Sequence, residues 1–159
     1  MTHNQPVVPD RISEELEGIG RNVPGVRGSV TASSDGLLIT HDVRGLEPTQ
    51  IAALVSAMHA VAARACASTQ CGQFKEVITH GSEGYLAVYA AGSVVVAILG
   101  TTDLNLAMLN YQARGMIERI AEHSAQLTRP LADTIAVPAG PAAGQEGAYP
   151  LPDRQPPGA

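Results

Sequence analysis

Apolar residues recur along this chain with two different periods, and the switches between them outline the elements. In RISEELEGIG (residues 11–20) Ile12, Leu16 and Ile19 fall at helical spacing with Glu14, Glu15 and Glu17 outside, and Asp10 stands in front as a capping residue. Asn22, Pro24 and Gly25 stop that helix. Residues 26–33 then alternate, with Val26, Gly28, Val30 and Ala32 on one side and Arg27, Ser29, Thr31 and Ser33 on the other, which is strand periodicity. Asp35-Gly36, set between this run and LLITH (37–41), predicts a hairpin closed by a two-residue turn, because that pair tolerates positive backbone angles.

Glu47-Pro48 opens a long helix over 48–69, with Gly72 just past its end. Three apolar runs follow, QFKEVITHG (73–81), GYLAVYAAG (84–92) and SVVVAILG (93–100), separated by glycine-bearing turns. The last is continuously apolar and predicts a central strand covered on both faces; the first carries Lys75 and Glu76, as an edge strand does. Thr101, Thr102 and Asp103 offer a cap for a last helix over 104–124 that touches both the sheet and the first helix. The predicted order is α-β-β-α-β-β-β-α. It satisfies a layered α/β architecture, a five-stranded antiparallel sheet with helices on both faces.

The long helix is the anomaly. On a wheel of about 3.6 residues per turn, Ile51, Leu54, Val55, Met58, Val61, Ala62 and Ala65 gather on one face, which predicts the core side. The opposite face should be polar, yet it carries Ala53, Ser56, Ala57, Ala60 and Ala63, with Arg64 its only charge and His59 on a flank. Small apolar side chains leave the backbone open to close approach by another helix. The expected cover is the same helix of a second copy; a segment of the same chain, such as the C-terminal tail, is the alternative. A twofold axis would also let the edge strand, with Phe74 and Val77, meet its counterpart and hide an open edge.

Composition narrows the classes. The 159 residues suffice for one domain with tails: a leader at 1–10, a domain at 11–126 and a tail at 127–159, where seven of the eleven prolines lie and no period survives, so a flexible segment is expected. Aromatic residues make up 3% of the chain and Trp is absent, so the core must be built from Ala, Val, Leu and Ile. A net charge of −5, with Lys75 the sole lysine, provides no basic stripe and argues against nucleic acid. MTHNQPVVPD lacks the basic start and apolar run of a secretory signal, and no run reaches about 18 uninterrupted apolar residues, so the expectation is a cytoplasmic protein without direct membrane insertion.

Candidate chemistry is sparse. There is no P-loop pattern, and His3, His41, His59, His80 and His123 are scattered without zinc-ligand spacing. Cys66 and Cys71 lack a second ligand pair and are expected to be two reduced thiols. His80, Ser82 and Glu83 in THGSEG (79–84) read as a strand-to-strand turn, since no strand-elbow-helix pattern surrounds the serine. No carboxylate pair stands out as acid and base. Neither a metal, a cofactor nor an active site is expected.

Taken together, VPGVRGSVTASSDGLLI (23–39), IAALVSAMHAVAARA (51–65), GYLAVYAAGSVVVAILG (84–100) and DLNLAMLNYQARGMIERI (103–120) resemble the roadblock family. The likeness is greatest to its bacterial members, the MglB type and those encoded beside Ras-like GTPases in actinobacterial gene clusters. The resemblance implies a homodimer whose paired long helices form a platform for a small Ras-like GTPase, with no catalysis of its own. The helix and edge-strand reading gives Ala53, Ser56, Ala57, Ala60, Ala63, Arg64, Phe74 and Val77 to self-association; the resemblance carries the partner platform over to Gln50, Ala53, Ala57, His59, Ala60 and Arg64, with the loop residue Arg44 as a further partner-binding candidate. Arg44 and Arg64 are the candidates for a cation supplied in trans to a GTPase site, against the plainer role of a solvated or interface cation. The rival readings are an assembly scaffold joining a sensor histidine kinase-like protein to the GTPase, and a small-ligand sensor similar to PAS-like domains. The latter would need a pocket, for which Phe74 is the only Phe available.

Overall fold

The computed structural model describes residues 7–126; the first six residues and the tail at 127–159 lie outside that range, and with them the expectation of a flexible tail. The elements are α1 (Val8–Asn22), β1 (Val26–Ser33), β2 (Leu38–His41), α2 (Pro48–Ser68), β3 (Glu76–Gly81), β4 (Gly84–Ala91), β5 (Val94–Gly100) and α3 (Leu106–Ser124). This is the predicted order. The strands form one antiparallel sheet in the order β2-β1-β5-β4-β3, which puts β5 at the centre and β3 at an edge.

Because β2 and β3 are opposite edges, the connection between them must cross the sheet, and α2 makes the crossing. Its 21 residues, at about 1.5 Å each, span roughly 30 Å, while five strands spaced about 4.8 Å apart span roughly 19 Å. The helix therefore outruns the sheet, and residues 69–75 turn back to enter β3.

Alternation on the strands divides the interior into two cores. On one face Tyr89, Val96 and Ile98 pack with Ile12, Leu16 and Ile19 of α1 and with Leu109, Met116 and Ile120 of α3. On the other, Val30, Ala32, Val88, Val95 and Ala97 meet Ala52 and Val55 of α2. The continuous apolar run of β5 is thus explained: Val94, Val96 and Ile98 serve the first core, and Val95 and Ala97 the second.

Several boundaries differ from expectation for physical reasons. α1 begins three residues early, at Val8, because Pro9 sits in its first turn, where a missing N–H costs nothing; Asp10 lies inside that turn instead of capping it. The β1–β2 turn is a three-residue loop, Ser34, Asp35 and Gly36, closed by Ser33 N–H to the Leu37 carbonyl (2.9 Å) and Gly36 N–H to the Ser33 carbonyl (3.0 Å). Gly36 takes the left-handed position at φ 94. A register shift between Val26 and Gly28 turns Val26 toward the α1/α3 core, opposite Val30 and Ala32; a Cβ on Gly28 would stand 2.2 Å from the Asp42 carbonyl oxygen, so only glycine fits there. β3 starts at Glu76, not 73. α3 starts at Leu106 and is capped by Asn105, whose Oδ1 accepts from Met108 N–H at 3.0 Å; the expected cap at 101–103 is instead a turn that buries Leu104.

Candidate functional site

The most unusual surface of the molecule is the outer side of α2. Gln50, Ala53, Leu54, Ala57, Ala60, Val61 and Arg64 form one exposed strip along the helix. Leu54 is 58% and Val61 69% exposed, a costly way to leave large aliphatic side chains in a continuous apolar row. Helical periodicity places both in the core, together with Ala65, and the structure corrects all three to the exposed side.

The inner side explains the rotation. Ala52, Val55 and Ser56 are the buried residues of α2, with Ile51 and Met58 packed at the margin. Small side chains at 52 and 56 let the helix backbone sit close on β1. Ser56 corrects the expectation of an interface role: it is 3% exposed, and its hydroxyl donates to the Ser33 carbonyl at 2.9 Å. A buried hydroxyl with such a partner is better placed inside than Leu54 would be at that close approach.

The other predicted residues fall into three groups. Ala53, Ala57, Ala60, Arg64 and Gln50 share the outer strip, while Ala63 is half-buried on its inner margin. His59, Phe74 and Val77 belong to a second cluster at the β3 edge. There the His59 ring meets Phe74 edge-on at 5.2 Å between centroids, and Val77 packs against the α2 core. Arg44 is exposed in the loop before α2, away from the cluster at β3. Among the described residues the ion pairs are Arg21–Glu17 and Arg119–Glu15, so neither Arg44 nor Arg64 is tied to a carboxylate there.

Beyond the strip, a groove of about 820 Å³ runs round the start of β3, where Cys66, Cys71 and Phe74 meet Tyr89, Asn110 and Arg114. The Tyr89 hydroxyl donates to Asn110 Oδ1 at 2.9 Å; burial, with the Glu76 carboxylate adding to it, pushes the phenol well above its ordinary range, so it stays a neutral donor. In THGSEG, Ser82 and Glu83 form the two-residue turn between β3 and β4, and His80 stacks on Tyr85, its cross-strand partner, at 4.3 Å. The expected turn reading therefore holds for this stretch. Among the described residues no cluster of three metal-ligating side chains occurs.

Pro48–Ser68 is long and apolar enough, by composition, to cross a membrane. Its place in the fold gives it other work, since Ala52 and Val55 close the second core and a membrane-spanning α2 would strip that face of the sheet. What needs cover is the outer strip alone.

The comparisons with known proteins agree with this architecture. Residues 14–100, more than half of the chain, match the model of the Roadblock/LC7 domain. A crystal structure of a Roadblock/LC7 domain from Streptomyces avermitilis superposes with a TM-score of 0.64 at 23% identity, covering 70% of this chain and 96% of that one. An MglB described in a tetrameric arrangement gives 0.69 at 17% identity over 77% and 93%. The gliding protein MglB from Thermus thermophilus gives 0.66 at 18% identity over 77% and 94%. No curated protein matches by sequence. At these identities the structural neighbours speak for the fold, and the domain match speaks for descent: the chain belongs to the Roadblock/LC7 domain family.

Proposed function

We propose that this protein is a cytoplasmic homodimer, joined along the outer strip of α2, that binds a small Ras-like GTPase and modulates its nucleotide cycle or placement without an active site of its own. The observation that carries the reading is the exposed row Ala53, Leu54, Ala57, Ala60 and Val61 on a helix whose inner face is already satisfied. A second α2 laid against it removes two large aliphatic side chains and a run of methyl groups from water in each copy. The neighbour described as a tetrameric MglB supports self-association as a habit of the fold. Phe74 and Val77 at the open β3 edge extend the contact, and Gln50 and Arg64, at the ends of the strip, with Arg44 in its loop, present polar groups to the partner. His59, held by Phe74, contributes to the shape of that margin.

The GTPase enters through the family likeness of the four motifs. Hydrolysis would be promoted by ordering the GTPase's switch loops. An arginine supplied in trans is worth about 10³ to 10⁵ in rate, and Arg44→Ala or Arg64→Ala should fall far short of that.

The test is a pull-down from the native cell extract with the purified full chain, run with GDP or a non-hydrolysable GTP analogue. Recovery of a Ras-like GTPase in a nucleotide-dependent manner supports the reading; a folded, dimeric bait that recovers none contradicts it. With the partner in hand, a changed hydrolysis or exchange rate marks a regulator. Unchanged rates mark the scaffold reading, with a sensor kinase-like protein then sought in the same pull-down.

A further inference from the structure

The C-terminal end of α2 is closed by a specific turn. Cys71 N–H donates to the Cys66 carbonyl at 3.1 Å, and inside that bond Gln70 N–H donates to the Ala67 carbonyl at 3.4 Å. Gln70 adopts φ 57, left-handed, and is the non-glycine residue with positive φ among those described. A six-to-one bond nested round a five-to-two bond, with a left-handed residue between, is the Schellman arrangement. Its geometry sets the side chains that bracket the outer bond against each other, a place usually filled by an apolar contact. Here both brackets are cysteines.

The surrounding contacts distinguish the two thiols. The Cys71 thiol donates to the Cys66 carbonyl at 3.6 Å, and the Thr69 hydroxyl, which donates to the Ala65 carbonyl at 2.8 Å, also lies 3.4 Å from Cys71 Sγ. Cys71 is exposed and Cys66 half-buried, and both open on the groove beside Phe74, so a small reagent can reach them without disturbing the outer strip of α2. The hydrogen bond from Thr69, then that from the Cys66 thiol, hold Cys71 below the ordinary thiol range. The bond with Cys71, then burial, push Cys66 above it. An exposed thiol that ionises more readily than its half-buried neighbour is the usual division between an attacking and a resolving cysteine.

We propose that Cys66 and Cys71 are a redox-active pair, which a small-molecule disulfide converts to an intramolecular disulfide across the end of α2. The Cys71 thiolate attacks one sulfur of the oxidant, forming a mixed disulfide and expelling the other half as a thiolate. Cys66, giving its proton to solvent, then attacks Cys71 Sγ and expels the second half. The protein loses two protons and two electrons, and the oxidant, having gained both, leaves as two thiols. Reversible pairs of this kind are the form in which disulfides occur in reducing compartments. The bond would close residues 66–71 into a ring at the head of the segment that leads from α2 to Phe74 and the β3 edge, and so would tie the redox state to the margin where Phe74 holds His59.

The test uses the reduced full chain in graded mixtures of reduced and oxidised glutathione, quenched with acid, alkylated and cleaved after Arg64 and Lys75, so that both cysteines fall on one peptide read by mass spectrometry. The expected product is that peptide lighter by two hydrogens and unalkylated. Cys66→Ser should trap glutathione on Cys71, Cys71→Ser should take up glutathione several-fold more slowly, and Thr69→Val should slow the wild-type reaction several-fold. A peptide carrying two glutathiones, or one still fully reduced under the most oxidising mixture, overturns the proposal.

Discussion

The two faces of the sheet are covered in opposite ways. On one, α1 and α3 lie side by side, bury Ile12, Leu16, Leu109, Met116 and Ile120 between themselves and the strands, and turn charge to the solvent. Arg119 crosses between them, its Nε donating to both carboxylate oxygens of Glu15 at 2.9 and 2.8 Å. On the other face α2 lies alone among the described residues, and its outer side repeats the chemistry of its inner side. A helix that has found its full set of neighbours is amphipathic; one that shows apolar residues all round is waiting for another. The difference separates the finished layer of the fold from the unfinished one.

Substitutions can break or sharpen that contrast. The largest effect is expected from Ala57→Glu, which sets an unpaired carboxylate within the proposed helix contact. Self-association should weaken by at least about 100-fold, roughly 3 kcal/mol, read by sedimentation. The matched control is Gly18→Glu on α1, where an added Cβ meets nothing within 4 Å; it should leave the mass unchanged. Ser56→Ala should cost about 1–2 kcal/mol of folding stability in denaturant titration, because the Ser33 carbonyl loses its buried partner. Were Ser56 on the outer strip, the same change would be close to neutral.

On the finished face, Thr31 Oγ1 is buried with no hydrogen-bond partner among the described residues, so Thr31→Val, equal in shape, should stabilise the fold by about 1 kcal/mol and leave association untouched. The smallest effect is expected from Arg119→Ala: the pair with Glu15 is partly solvated, and its loss should cost less than about 1 kcal/mol and move no oligomer equilibrium.

The order and type of the elements were legible because each carried its own period and each gap its own punctuation. The continuous run at β5 could only be a strand between two layers, and the charges at Lys75 and Glu76 marked an edge. The rotation of α2 was not legible. A helix of alanines with scattered Leu, Val and Met has apolar residues in every direction, so the wheel gave preference to size and put Leu54 and Val61 inside. The sheet instead selected small residues, Ala52 and Ser56, that allow close approach and one hydrogen bond. The flip at Val26 depends on a bulge that only the pairing with β5 reveals. The meeting of Cys66 with Cys71 depends on Gln70 taking a left-handed angle that its residue type does not announce.

The central claim is that a second copy covers the outer strip of α2, and the most direct measurement is the mass of the purified full chain by sedimentation velocity across a concentration series, beside Ala57→Glu. A native mass of twice the chain or a multiple of it, reduced to the single chain in the folded variant, is the predicted result. A native chain that remains monomeric throughout, or an assembly that Ala57→Glu leaves intact, would contradict it.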